Sequence, residues 1–325
     1  MKNVLELLER TAARLPRQIA FADQQCSYGY QTVVNIAGSV GSALAANGDQ
    51  NCPVAVLMER GAPCLVTLMG VLYSGNFYVV LDPEMPAERV NKILRTLQPT
   101  ALICDEAHKD DPAGLDYDGK VYSAEALAAG QAQPELLQAV RRRMIDTDPA
   151  YAIFTSGSTG NPKGAELTHK NFVSITISAS QALHEVVLDD HPRLLLFLPL
   201  APCFARFIQY ASIASDDGVV GYLPDTKTLL PDLRSFEPTY LLGVPRVFEK
   251  VYNAASHKAG AGWKGRLFVK AAEAARVWSR KEQAGEQHTF AEIAERAKYE
   301  TLVYRTVRGA LGPKIKYVAC GGAPL

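Results

Sequence analysis

The chain has 325 residues, room for one large or two smaller domains with substantial cores. Its 34 basic residues balance 34 acidic ones, which excludes bulk-charge attraction to nucleic acid. A hydrophobic content of 48% with 21% charged residues is that of an ordinary globular protein. Cysteines at 26, 52, 64, 104, 203 and 320 form no CxxC pair and no even ladder. They read as reduced, mostly buried thiols of a cytoplasmic protein rather than a disulfide framework. The histidines are scattered, and His184 and His191 lack a neighbouring carboxylate or cysteine cluster, so no zinc site is expected. The N-terminus, MKNVLELLERTAARLP, does not read as a signal peptide. The most apolar long window, Leu194 to Ala214, is interrupted by Pro199, Pro202, Arg206 and Gln209 and does not read as a membrane span.

In chain order, VAVLM (54–58) reads as a strand, APCLVTLMGVLYSG (62–75) as a helix stopped by glycine, and FYVVLD (77–82) as a second strand. PAERVNKILRTLQP (86–99) reads as a helix and ALICD (101–105) as a third strand. This alternation predicts an α/β fold, parallel sheets layered with helices. Residues 105–133 read as a partly loop-like region. Tyr151 to Phe154 reads as a strand, and Thr155 to Gly164 as a loop too rich in Gly, Ser and Asn for helix or strand. Thr168 can cap a helix whose inner face is Phe172, Ile175, Ala179 and Leu183. The runs LLLFLPL, VVGYL, TYLLGVP and IKYVAC supply further strand candidates. Two late helices are expected. One has Phe268, Ala271, Ala275 and Trp278 on a face; the other has Ile293, Ala297, Tyr304, Val307 and Leu311, and stops at Gly312-Pro313. KEQAGEQHTF (281–290) reads as the solvated loop between them.

TSGSTGNPKG (155–164) joins a strand to a helix region, where α/β proteins hold phosphates. Its glycines admit close approach of backbone N–H groups. The hydroxyls of Thr155, Ser156, Ser158 and Thr159 add donors, and Lys163 adds positive charge. It is neither a GxxxxGK[ST] loop nor GxGxxG. A surface linker is the alternative, against which Pro-Lys-Gly at fixed distance and the leading strand both weigh.

The stretch resembles the signature loop of the adenylate-forming enzymes, which include acyl-CoA synthetases and amino-acid adenylation domains. The resemblance implies that ATP phosphates bind at Thr155, Ser156, Gly157, Ser158, Thr159, Gly160 and Lys163, with Mg²⁺ near the Thr159 hydroxyl. A carboxylate would attack the α-phosphorus, giving an acyl-adenylate and pyrophosphate. LYSGNFYVVLDPEMPAERVNKILRTLQPTALICD, in the first half, is similar to amino-acid-activating domains. AELTHKNFV, LLFLPLAPCFARF, PDTKTLLPDLRSFEPTYLLGVPRVFEKVYN and KYVACGGAPL, in the second, are similar to bacterial long-chain fatty acyl-CoA synthetases.

The resemblance therefore implies a subdomain of residues 1–164 ending in the phosphate loop and an acyl-side subdomain of residues 165–325. It places Gly321, Gly322, Ala323 and Pro324 beside adenine and the acyl group, and makes Pro202, Phe204, Phe207 and Arg246 acyl-pocket candidates. Two departures stand out. Pro202 replaces a usual histidine, and a proline cannot donate a hydrogen bond there. The sequence also stops at GGAPL, before the family's Mg²⁺-linked glutamate, ribose-binding aspartate, hinge and C-terminal lid domain with its catalytic lysine, which is not Lys163. The resemblance thus implies the large N-terminal portion of such an enzyme, incomplete at its C-terminus.

The leading expectation is activation of a long-chain fatty acid to its adenylate and then, with CoA, to the thioester, impaired in this chain. The alternatives are amino-acid adenylation for a carrier protein and a remnant that binds ATP or acyl-adenylate without turnover. Lys264, Arg266, Lys270, Arg276, Arg280 and Lys281, with Glu273 the sole acid among them, suit either peripheral contact with an anionic membrane or an ordinary solvated helix face. Phe204, Phe207, Tyr210 and Trp278 are acyl-lining or plain core, and His169 reads as structural.

Overall fold

A computed structural model describes residues 1–156, 162–182, 192–198, 203–214, 218–223 and 228–321. The chain divides into two compact units, Met1–Thr226 and Lys227–Leu325. The first opens with α1 (Leu5–Arg14), β1 (Ile19–Ala22), β2 (Ser27–Gly29) and α2 (Tyr30–Ala45). Then β3 (Pro53–Leu57), α3 (Ala62–Tyr73), β4 (Phe77–Leu81), α4 (Ala87–Leu97) and β5 (Ala101–Cys104) alternate as their apolar runs predict. Next come β6 (Lys120–Ser123), α5 (Ala124–Ala128), α6 (Pro134–Arg143), β7 (Pro149–Ser156) and β8 (Pro162–Thr168). These strands form a sheet in the order β6-β5-β3-β4-β7-β8. All its pairs are parallel except β7–β8. β4 and β5 are buried along their whole length, which is why they read as continuous apolar runs rather than alternating ones.

On this sheet, α4 turns Val90, Ile93 and Leu94 onto Leu57, Val79, Leu81 and Leu102. Elsewhere α2 and α3 approach closely because glycine faces side chain. A Cβ added at Gly70 would stand 2.5 Å from that of Val40, and one at Gly41 2.5 Å from that of Tyr73. The unit closes with α7 (His169–Ala182), β9 (Arg193–Leu196), α8 (Cys203–Ala214) and β10 (Val219–Tyr222). β9, β10 and β1 are successive parallel neighbours, and β2 pairs antiparallel with β1. The compact units part at Thr226–Lys227, and Gly164, the boundary expected from the sequence, lies inside β8.

The second unit contains α9 (Leu229–Phe236), β11 (Tyr240–Gly243), α10 (Pro245–Ala259), α11 (Trp263–Ala284), α12 (Phe290–Tyr299), α13 (Arg305–Leu311) and β12 (Tyr317–Cys320). β11 and β12 are parallel. Phe268, Ala271, Tyr299 and Val303 form its small apolar cluster. Three expectations need correction here. A π-helical stretch, Glu300–Tyr304, separates α12 from α13. Its wider turn breaks the 3.6-residue period, so Ile293 is exposed while Leu311 is buried. Ala275 is exposed although Phe268 and Ala271 on the same face are buried. The loop between the two helices is also shorter than read, since α11 runs to Ala284 and Thr289 starts α12 through a capping box with Glu292. The stop at Gly312 is as expected, with φ of 129°.

Candidate functional site

The glycine-rich stretch begins in β7 and ends in β8, which pair antiparallel. β7 is buried at Ala150, Tyr151 and Ala152 and reaches solvent at Thr155. Opposite it, the register pairs Phe154 with Gly164, Thr155 with Lys163 and Ser156 with Pro162. The loop is therefore shorter than the expected Thr155–Gly164, since both flanks continue as strand. β8 lies at the sheet edge, and Pro162 is its first residue, where a missing N–H costs no ladder bond. A Cβ at Gly164 would stand 3.1 Å from the Phe154 ring, a tight approach. Lys163 is exposed. Gly157, Ser158, Thr159 and Gly160 lie outside the described residues.

Behind the hairpin, the Thr168 hydroxyl accepts the Asn171 N–H at 3.2 Å, the expected cap of α7. The inner face of that helix is His169, Phe172, Val173 and Thr176. Ile175 instead points to solvent, and Leu183 lies outside the described residues. His169 is 1% exposed, and its Nδ1 accepts the Val4 N–H at 3.5 Å. Burial, assisted by the Arg141 charge, pulls its pKa down to about 4. A neutral ring holding two helix starts together agrees with the structural reading of this residue.

Sequence reasoning missed a polar cluster on α8. Arg206 is fully buried. Its Nη1 donates to Gln209 Oε1 at 2.6 Å, while Nε and Nη2 have no hydrogen-bond partner among the described residues. The Tyr78 and Tyr210 hydroxyls meet at 2.8 Å, and Tyr151 stacks at 5.1 Å from the Tyr78 ring. Burial raises the pKa of Tyr78, opposed by the Arg206 charge, and pushes that of the Cys64 thiol up to about 12, again opposed by Arg206. The cluster joins β4, β7, α3 and α8, so no single stretch of sequence signals it.

The remaining candidates are dispersed. Phe204 and Phe207 stack with centroids 6.4 Å apart, both half-buried. Tyr210 is core, and Trp278, in the second unit, stacks on His288 at 3.4 Å. Arg246 is exposed in the first turn of α10. Gly321 donates its N–H to Gly243 O at 3.1 Å. It and Arg246 thus both leave the C-terminal end of the β11–β12 pair, the end at which open parallel sheets bind ligands. Pro202, Gly322, Ala323 and Pro324 lie outside the described residues. In the first unit Arg60, just after β3, bridges Asp82, just after β4, at 2.8 Å. Among the described residues no group of three or more His, Cys, Asp and Glu could hold a metal ion, and no helix is long and apolar enough to cross a membrane. Thr159, the magnesium candidate, falls outside them. Of the basic cluster on α11, Arg276 pairs with Glu273 at 3.0 Å and Lys281 with Glu292 at 2.6 Å.

Comparison with known proteins agrees with this architecture. Residues 8–325 match the family described as AMP-binding enzyme, and the chain belongs to that family. It is 43% identical over 198 residues to the long-chain-fatty-acid–CoA ligase FadD15 of Mycobacterium tuberculosis, covering 61% of this chain and 32% of that one. It is 27% identical over 250 residues to the N-(5-amino-5-carboxypentanoyl)-L-cysteinyl-D-valine synthase of Penicillium rubens, covering 74% of this chain and 7% of that protein. Its fold superposes on the nonribosomal peptide synthetase FmoA3 with a TM-score of 0.69 at 18% identity, over 99% of this chain and 32% of that one. The chain thus spans about a third of the ligase and a small part of the synthase.

Proposed function

We propose that this chain carries the ATP-phosphate and acid-binding portion of a long-chain fatty acid:CoA ligase. The observation that carries the reading is the hairpin itself. The buried strand β7 reaches solvent at Thr155, where TSGSTGNPKG begins, and Lys163, paired with Thr155 across the hairpin, is exposed, in a chain of the AMP-binding family. Thr155 to Gly160 would present N–H and hydroxyl donors to the phosphates, and Lys163 would neutralise part of their charge. Magnesium, carried with ATP, would add charge neutralisation at the same phosphates. The fatty-acid assignment is supported by the 43% identity to the mycobacterial ligase, against 27% to the peptide synthase. On this reading Phe204 and Phe207 line the acyl side, Arg246 and Gly321 lie on the substrate and adenine sides, and CoA takes the acyl group in the second step.

Amino-acid activation is the second reading, favoured by the synthase relative and the fold likeness to FmoA3. Acid-dependent exchange of labelled pyrophosphate into ATP separates the two. Exchange with palmitate and not with an amino-acid mixture supports the fatty-acid reading; the reverse overturns it. ATP binding without exchange for any acid favours the binding-only alternative for this chain.

A further inference from the structure

The second unit contains a cavity of about 500 Å³ between α10, α11 and the end of the α12–α13 helix, within the range of small-molecule sites. Val251, Leu267, Phe268, Val303 and Val307 make its apolar floor and walls. Arg234, Lys258 and Lys264 are its charged lining residues, with no Asp or Glu among the residues that form it. None of the three cations pairs with a carboxylate among the described residues; Lys264 Nζ lies 5.7 Å from the Trp263 ring.

Two of these cations have a local reason to be there. Arg234 and Lys258 sit in the last turns of α9 and α10, where a cation complements the helix dipole. Lys264 has no such reason. It lies in the first turn of α11, which contains no acidic residue, so it adds positive charge where the dipole is already positive. That arrangement is unfavourable in the empty unit and favourable once an anion arrives. An occupant must therefore combine one negative head with a substantial apolar body. Trp263, 65% exposed, and Leu302, 52% exposed, extend the apolar surface around the cavity.

We propose that this cavity binds a single-chain amphipathic anion, a long-chain fatty carboxylate, with its head held by Lys264, Lys258 and Arg234 and its chain against Phe268, Val303 and Val307. The site is built wholly from residues of the second unit, so it stands whether or not the hairpin binds ATP. It serves to hold a fatty acid rather than to activate it, since no carboxylate, histidine or cysteine stands among its lining residues to act as a base beside Lys258, Lys264 and Thr306.

The test uses the full 325-residue chain. Trp263 and Trp278 are its two tryptophans, so Trp278→Phe leaves Trp263 as the sole indole reporter. The probe is 9,10-dibromostearate, a heavy-atom quencher, kept below its aggregation concentration. The expected result is saturable quenching of Trp263, weakened at least tenfold by Lys258→Glu with Lys264→Glu and by the cavity-filling Ala254→Phe. All three substituted positions are exposed, so the fold should survive, and circular dichroism checks this. The matching dibromo-alcohol, lacking the carboxylate, should bind at least tenfold more weakly. If Trp278→Phe does not fold, competition of stearate against a fluorescent fatty acid on the wild-type chain gives the same comparison. Equal binding of the alcohol, indifference to the charge reversals, or quenching only by brominated phosphatidylglycerol vesicles would overturn the proposal; the last would make this face a bilayer contact instead. Lys163→Ala should leave the fatty-acid titration unchanged, which keeps failure here distinct from failure of the nucleotide reading.

Discussion

Arg206 Nη1 donates to Gln209 Oε1 at 2.6 Å, one turn further along α8, and both residues are wholly buried. The Tyr78 hydroxyl also faces this charge, whose Nε and Nη2 have no close partner among the described residues. A buried charge with incomplete pairing is expensive, and an apolar replacement of similar volume is often neutral or stabilising. Arg206→Met should therefore leave stability unchanged or raise it. Gln209→Leu should cost about 1–3 kcal/mol, because it removes the 2.6 Å acceptor of a buried guanidinium. Chemical-denaturation midpoints of the two variants check this, and a greater loss in Arg206→Met than in Gln209→Leu would contradict it.

His169 makes stability depend on pH. Its pKa falls from an ordinary 6.5 to about 4 in the folded chain, through burial and then the Arg141 charge. Because the folded value is depressed, the unfolded chain takes up the proton first as pH drops. The contribution is complete above pH 6.5, lost progressively down to pH 4, and flat below that, amounting to about 3 kcal/mol at most. His169→Asn keeps an acceptor for the Val4 N–H but cannot titrate. Its stability should fall less steeply than that of the wild type between pH 6.5 and 4, and parallel profiles would exclude His169 as the cause.

The contact of α2 with α3 rests on absent side chains. A Cβ at Gly70 would come within 2.5 Å of the Val40 Cβ and 3.2 Å of the Ala37 carbonyl oxygen. Gly70→Ala should cost about 1–3 kcal/mol through overpacking of a close-packed interface. Val40→Ala in the same chain should restore part of the loss, a coupling readable in a double-mutant cycle. Simple additivity of the two substitutions would place the strain elsewhere.

What could be read from the sequence followed burial. The strands β3, β4 and β5 are apolar runs bounded by helices, and their type was plain from residues 54–104. Both edge strands were not. β6 is mostly exposed, and β8, PKGAELT, is polar along most of its length, so neither shows the apolar signal of a strand. The glycine-rich stretch was visible because its residue pattern is local. The Arg206 cluster was not, because Tyr78, Tyr151 and Arg206 become neighbours only through sheet pairing and helix packing. Ile175 and Ile293 show the limits of periodicity. The first is left to solvent although Phe172, on the same expected face, is buried, and the second precedes a π-helical stretch that shifts the face which follows.

The central claim is that the β7–β8 hairpin holds ATP, and the most direct measurement is a calorimetric titration of ATP into the wild-type chain and into Lys163→Ala. Lys163 is exposed, so its truncation should spare the fold. The account predicts saturable binding to the wild type. Loss of one charge-assisted contact worth about 1.5–3 kcal/mol should weaken it about tenfold to a hundredfold in the variant. No binding to the wild type, or the same affinity in both proteins, would contradict it.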